Sequence, residues 1–182
     1  DALTNPGSIP YPATVTDWVL VSIRTIDMDP ASTVWKCAGL LHNDGVVEFP
    51  PDCPCLSMTP LTPYNIVVEH RNHLAVMSTS TLPSGNILGY DFTVTDSWKL
   101  DIGSPQEVTQ KLIGGVYTMY AANGEQMATR TDIISPDNAV WLGHNSQIYT
   151  YLTGDHNMNA DVNSFDRAMW LQNVSLFNLI AH

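Results

Sequence analysis

Two segments in the last third of the chain repeat each other at an offset of 29 residues. Six of eleven aligned positions are identical, and neither segment is of low complexity. The identical pairs are Asp132/Asp161, Ser135/Ser164, Asp137/Asp166, Ala139/Ala168, Trp141/Trp170 and Leu142/Leu171. Such a repeat indicates a loop-plus-helix unit that is present twice. A single unit of this kind cannot bury its apolar face alone.

The second copy opens with a loop in which oxygen-bearing side chains recur at loop positions 1, 3, 5, 9 and 12. This is the spacing of an EF-type calcium loop, in which the chain wraps the ion. In that geometry Asp161 contributes its backbone carbonyl, Asn163 acts through water, and Asp166 closes the shell from the following helix. The predicted Ca²⁺ ligands are Asp155, Asn157, Asn159, Asp161, Asn163 and Asp166.

Two features weaken this predicted site. Position 6, where the turn requires a positive φ, is Ala160 instead of glycine, at a cost of about 1 kcal/mol. Only Asp155 and Asp166 bring charged side-chain ligands. We therefore expect a micromolar-to-millimolar affinity, as in extracellular structural sites.

Asp at position 12, Asn at position 9 and the duplication resemble the type I dockerin repeat, over about residues 119–178. The resemblance implies two calcium loops with one helix each, which together dock onto a cohesin. Dockerins often contact cohesins through loop positions 10 and 11, here Ser164 and Phe165. The other copy has Ser135 and Pro136, which departs from the usual pair of small hydroxyl residues.

The first copy is degenerate in this comparison. Its position 1 would be Ala121, followed by Asn123 and Glu125, and an insertion of five residues, 126–130, would precede Asp132. The first ligand is then lost. The candidate ligands of a second ion are Asn123, Glu125, Asp132 and Asp137.

Short strands separated by Pro, Gly and Asn fill the first two-thirds of the chain, which favours an antiparallel β-sandwich, Ig-like or jelly-roll-like. The strands are predicted at 16–24, 33–41, 46–49, 64–70 and 74–78, with one edge strand and a short helix within 87–112. This gives a β-sandwich domain at 1–112 and a duplicated dockerin-like module at 113–182, packed on it.

The segments 13–21 and 66–74 are similar to β modules in large secreted proteins of Bacteroidetes. Those modules occur near degenerate dockerin-like repeats. The resemblance implies export and residence at the cell surface.

Charge and cysteines narrow the classes of partner and compartment. Eighteen acidic residues against seven basic ones give a net charge of −11, which disfavours nucleic acid. No apolar run reaches the roughly 20 residues of a membrane span. The three cysteines allow one intrachain disulfide, from Cys37 to either Cys53 or Cys55, if the chain is exported.

Two further groups of side chains are candidates for chemistry. His70 and His73 are three residues apart, a spacing that would place them on opposite sides of a single strand, so we expect them to order a strand end or a bulge. Trp18, Trp141 and Trp170 occupy core-like positions. Trp35 and Trp98 are the candidates for a sugar-stacking face.

These patterns predict a calcium-stabilised, non-catalytic binding or adhesion module of a secreted or cell-surface protein, whose partner is a glycan or another protein. A second hypothesis is a structural subunit of an extracellular surface layer or filament that self-assembles through apolar edge strands. A third is a dockerin-type docking module, and a fourth is a fragment of a carbohydrate-active enzyme.

Overall fold

The computed structural model of the chain describes residues 13–25, 29–84, 88–125, 131–148 and 151–180. A mostly β, antiparallel chain with two short helices is confirmed. The elements are β1 Val15–Arg24, β2 Thr33–His42, β3 Val47–Glu48, β4 Asn65–His70, β5 His73–Met77, β6 Lys111–Ile113, β7 Val116–Thr118, α1 Ser135–His144 and α2 Ser164–Asn173.

Strands β1 to β5 form one antiparallel sheet in the order β3-β2-β1-β4-β5. β1 is central, and its Val21 lies opposite both Cys37 of β2 and Val68 of β4. A central strand is covered on both faces, which explains why apolar residues occur at odd and even positions of β1.

Each face of the sheet carries its own apolar cluster. Val21 and Ile23 pack with Ile66 on one face. On the opposite face Val67 packs with Ile180, from the last described segment of the chain. Full burial of an aliphatic side chain contributes about 1.5–3 kcal/mol. Both clusters therefore hold the sheet to the segments that cover it.

The turn between β4 and β5 confirms that the two histidines lie at strand ends. Arg71 and Asn72 form this turn, so His70 and His73 are cross-strand partners rather than residues of one strand. Their rings lie side by side, with centroids 4.6 Å apart. The predicted bulge is present, as a register shift between Val68 and His70.

The second sheet is the β6–β7 hairpin, which turns at Gly114 and Gly115, both at positive φ. It does not establish the second large sheet that a sandwich requires. Residues 88–110 contain neither a helix nor a strand, so the short helix expected there is wrong for those residues. The proposed boundary between residues 112 and 113 falls inside β6.

The disulfide is Cys37–Cys53, with 5.9 Å between the Cα atoms, and Cys55 is exposed and free. It joins β2 to the loop that follows β3, and it decides between the two pairings that the sequence allows. Within the described ranges, no helix is long and apolar enough to cross a membrane.

Candidate metal centre

The loop from Asp155 to Asp166 folds its polar side chains back onto its own backbone. The Asp155 side chain is buried, and its Oδ1 and Oδ2 accept hydrogen bonds from Asn159 N at 3.1 Å and Ala160 N at 2.9 Å. Asn157 Oδ1 accepts from the same Asn159 N at 3.1 Å. Oxygens of loop positions 1 and 3 therefore converge on one amide.

The middle of the loop turns through two residues at positive φ. Asn159 Oδ1 accepts from Asp161 N at 2.9 Å. Ala160 has a φ of 72°, as expected for position 6, and Met158 has a φ of 59°. A side chain with a Cβ is strained in this region, so the cost predicted for Ala160 applies to the folded loop.

Helix α2 closes the loop through Asp166. Asn163 caps the helix, with its Oδ1 accepting from Phe165 N at 2.8 Å. Asp166 Oδ1 accepts from His156 N at 2.8 Å and from Asn157 N at 3.0 Å, and its Oδ2 accepts from Asn163 N at 2.9 Å. Position 12 is thus bonded to positions 2, 3 and 9, and it draws the two ends of the loop together.

The chemistry of these donors fits a hard cation. Carboxylates, amide oxygens and backbone carbonyls are the groups that Ca²⁺ takes as ligands. Burial raises the pKa of Asp155 even though the amides of Ala160 and Asn159 oppose the shift. A bound cation would favour the ionised carboxylate. Within the described residues, no group of three or more His, Cys, Asp or Glu side chains could hold a metal ion. Most of the ligands predicted for this loop are instead asparagine side chains and a backbone carbonyl.

The first copy reproduces the loop closure in a register that differs from the sequence alignment. Asp137 Oδ1 accepts from Glu125 N at 3.0 Å, and its Oδ2 accepts from Ile134 N at 2.7 Å. These bonds correspond to those of Asp166 with positions 3 and 9. Glu125 therefore stands at position 3 and Asn123, fully buried, at position 1, so the assignment of Ala121 to position 1 is wrong. The insertion before Asp132 is three residues instead of five.

The first copy also differs in its donors. Asn123 brings a neutral amide where the second copy has Asp155, and Ile134 gives its helix no side-chain cap where the second copy has Asn163. Burial raises the pKa of Asp137. Residues 126–130, which would supply positions 4 to 6, lie outside the described residues.

The two tryptophans of the repeat join the copies reciprocally. Trp141 Nε1 of α1 donates to Asn163 O at 2.7 Å, and Trp170 Nε1 of α2 donates to Ile134 O at 3.0 Å. Both acceptors are position 9 of the opposite copy. The periodic tryptophans indicated anchors for the helices, but no sequence signal showed that each one reaches the other copy.

Backbone pairing follows the same exchange. Val162 N donates to Gln147 O at 2.8 Å, and Ile133 N donates to Leu176 O at 2.8 Å. These four residues are equivalent in pairs at the 29-residue offset. Val162 and Ile133 are both buried, so position 8 of each loop packs and pairs against the segment that follows the other copy's helix.

Asn72 in the β4–β5 turn contacts both copies. Its backbone carbonyl accepts from Ala122 N at 2.9 Å and from Asn123 N at 3.1 Å. Its side-chain Nδ2 donates to Asp155 O. One buried asparagine of the sheet therefore fixes position 1 of both loops.

A buried polar cluster beside Asn72 holds the segment that leads into the second loop. Asp17 Oδ2 lies 3.0 Å from His70 Nε2 and 3.3 Å from Arg71 Nε, and Asp17 Oδ1 accepts from the Tyr151 hydroxyl. Arg71 Nη1 also donates to Leu152 O. The sequence patterns did not predict this cluster, although a lone aspartate near the start of an apolar strand was a signal for it.

The charge balance of the cluster favours ionised Asp17. Burial alone would raise the pKa of Asp17, but hydrogen bonds from His70 and Tyr151 and the charges of His70 and Arg71 hold it well below its usual value. Burial and Asp17 together raise the pKa of Tyr151. A buried ion pair with this many hydrogen bonds positions its partners, and breaking it leaves an unpaired buried charge.

The two tryptophans proposed for sugar stacking do not share a surface. Trp35 packs against the cluster that contains Ile66, and Trp98 packs against the cluster that contains Val67. Successive residues of a strand point to opposite faces, so the two indoles lie on opposite sides of the sheet. Trp18, expected in the core, is 44% exposed.

The chain matches no protein-family model, no curated protein and no solved structure.

Proposed function

We propose that the chain is a calcium-stabilised, non-catalytic binding module of a secreted or cell-surface protein. The observation that carries the proposal is the closure of the loop from Asp155 to Asp166, in which the predicted ligand residues fold toward one another around shared backbone amides. That arrangement brings two buried carboxylates together with amide oxygens that are partly exposed. Ca²⁺ would supply positive charge and fix the loop.

The ion would act on stability and order. A ligand that binds the folded state alone adds about 2.7 kcal/mol at a concentration of 100 Kd. The backbone carbonyl of Asp155 accepts a hydrogen bond from Asn72, so calcium binding would stabilise the β4–β5 turn as well as the loop. The Cys37–Cys53 disulfide supports the secreted location, because such bonds persist in oxidising compartments.

Calcium titration into chelator-stripped protein, followed by calorimetry and thermal unfolding, tests the proposal. We expect one site in the micromolar-to-millimolar range and a rise in Tm. Asp155→Asn should weaken binding about tenfold or more, since it removes one of two charged ligands. Asp161→Asn is the matched control, because position 7 contributes only its carbonyl. A chain that binds no calcium at millimolar concentration would refute the proposal.

A second site would change the account of the first copy. Two bound ions would mean that Asn123, Glu125, Asp132 and Asp137 still coordinate, as the dockerin comparison allows. Loss of one ion in Asp155→Asn and of the other in Glu125→Gln would assign them.

The structure supports a protein partner over a glycan. Exposed apolar side chains occur on the two helices at equivalent positions, Leu142 at 63% and Leu171 at 53%, and Phe165 is 70% exposed. These side chains would be available for apolar contacts with another protein. Trp35 and Trp98, in contrast, lie on opposite sides of the sheet. Binding of a polysaccharide that Trp98→Ala abolishes would reverse this preference.

Assembly into a layer or filament through an open strand is less well supported. The edge strand β5 is covered, because Leu74 N donates to Tyr120 O at 2.8 Å and Ala75 O accepts from Asn178 Nδ2 at 2.8 Å. At the other edge, β3 has two residues and pairs only with Leu40 and Leu41 of β2, so residues 33–39 of β2 have no strand partner on that side among the described residues. A covered edge prevents the addition of another chain, so assembly through a strand would have to use β2.

A further inference from the structure

A cavity of about 600 Å³ lies over one face of the main sheet, the face that carries Val21, Ile23 and Ile66. Its sheet wall includes Val21 and Ile23 of β1 and Val68 of β4, and its other walls include residues 44–47, Phe49 and residues 88–93. Small-molecule sites have volumes of roughly 300–1,000 Å³. The cavity is therefore large enough for a compact organic ligand, and it is separate from the calcium loop.

Four aromatic rings line the cavity and present their carbon surfaces to it. Trp35 packs edge-to-face on Phe49 at 5.2 Å, and Tyr90 packs on Phe92 at 4.7 Å. The polar atoms of these rings bond elsewhere, Trp35 Nε1 to Pro54 O at 2.6 Å and the Tyr90 hydroxyl to Asp96 O at 2.8 Å. The walls therefore offer a ligand mainly apolar and aromatic contact.

The charged residues that line the cavity are both acidic. Asp44 and Asp91 are exposed, and no Lys, Arg or His is among the described lining residues. Hydrogen bonds from the side chain and backbone of Thr93 lower the pKa of Asp91, so this carboxylate is ionised at neutral pH. Two carboxylates and four aromatic rings favour a positive charge on a ligand and disfavour a negative one.

We propose that this cavity binds a lipophilic cation, an aromatic or aliphatic body with one ammonium group. The body would fill the space against Val68 and the aromatic walls, and the ammonium group would lie at the acidic rim. A fatty acid of the same size would bring its carboxylate toward Asp44 and Asp91.

Three probes with one ring system test the proposal on the full chain with calcium present. They are 1-naphthylmethylammonium, 1-naphthalenemethanol and 1-naphthoate, titrated by heteronuclear NMR and by tryptophan fluorescence. We expect saturable one-to-one binding, with the ammonium probe about fivefold tighter than the alcohol, as for one partly exposed charge contact, and the carboxylate weakest. Shifts should map to residues 44–49 and 88–93.

Two variants locate the site. Val68→Phe should weaken binding of all three probes by narrowing the cavity at its sheet wall, whereas Val116→Phe, on β7 outside the cavity, should leave binding intact. The double change Asp44→Asn and Asp91→Asn should bring the ammonium and alcohol probes to equal affinity. Absence of saturable binding, equal binding by Val68→Phe, or a preference for the carboxylate would each overturn the proposal.

Discussion

The two copies of the repeat share their connections but differ in their loops. Both helices donate a tryptophan N–H to position 9 of the opposite copy, and both loops are closed by a buried aspartate. The loops themselves differ, with Asp155 and Asn157 in one and Asn123 and Glu125 in the other. A contact that joins the copies depends on one residue from each copy, so neither residue can change alone. A residue at a ligand position can change without a matching change in the other copy.

The difference shows which part of the unit the fold itself requires. Asp137 and Asp166 make equivalent bonds to backbone amides, so each has a structural role independent of any ion. The remaining loop positions of the second copy bond mainly to loop amides. We therefore expect substitutions in the first copy to change stability alone. Substitutions in the second copy should change both stability and ion binding.

Replacing the closing aspartates should give the largest effects. Asp137→Ala and Asp166→Ala each leave buried backbone N–H groups without acceptors, which costs about 1–3 kcal/mol per group. Both should lower the free energy of unfolding in chelator, as measured by urea denaturation. Only Asp166→Ala should also abolish the calcium-induced rise in Tm. Loss of that rise in both variants would mean that the first copy takes part in binding.

Asn72→Ala should distinguish the attachments of the two copies to the sheet. The variant loses the side-chain bonds to Asp155 O and to His73 Nδ1 but keeps the backbone carbonyl that accepts from Ala122 N and Asn123 N. We expect a loss of about 1–3 kcal/mol and weaker calcium binding. Hydrogen exchange should speed up at Asn159 and Ala160 and stay slow at Asn123. Equal acceleration in both loops would contradict this separation.

Acid should weaken the β4–β5 hairpin, whose turn contacts both copies. Burial, followed by the charges of His70, His156 and Arg71, holds the pKa of His73 well below its usual value. Neutral His73 therefore makes its full contribution to the free energy of unfolding above about pH 6.5. That free energy falls as the pH drops below this value, by at most about 1.4 kcal/mol per pH unit. Urea denaturation from pH 7.5 to 5 measures this slope.

The matched variant is His73→Gln, which cannot take up the proton. It should show a shallower slope over the same range, whatever its stability at pH 7.5. An unchanged slope would assign the acid sensitivity to another group.

The smallest effects should come from two alanines at positive φ. Ala160 has a φ of 72° in the second loop, and Ala122 has a φ of 81° just before the first. Each Ala→Gly change should raise the free energy of unfolding by about 1 kcal/mol or less, since strain relief exceeds the entropy cost of glycine. Only Ala160→Gly should tighten calcium binding. Equal gains in calcium affinity would place an ion in both loops.

Local patterns predicted much of the fold. The five strands of the main sheet begin and end within one or two residues of their predicted positions, because alternation and turn residues act over short distances. The repeat and the loop spacing also identified Asp166 as the residue that closes the second loop.

Contacts between distant residues could not be read from the sequence. The cluster of Asp17, Arg71 and Tyr151 joins three parts of the chain that share no local pattern. The predicted alignment of the first copy was wrong for a related reason. The insertion before Asp132 hides from the sequence which residue at the start of the loop bonds to Asp137. The pairing of His70 with His73 required the turn at Arg71 and Asn72 to be placed first.

The reciprocal tryptophan contacts have a consequence for a fragment that holds the second copy alone. Such a fragment retains a donor, Trp170 Nε1, and an acceptor, Asn163 O, that are complementary to those of an identical fragment. Two fragments related by a two-fold axis could satisfy each other in the way that the two copies do here, as in an isologous interface. The repeat thus resembles a two-fold dimer whose halves are linked covalently, so the high effective concentration of each half replaces the need for a second molecule.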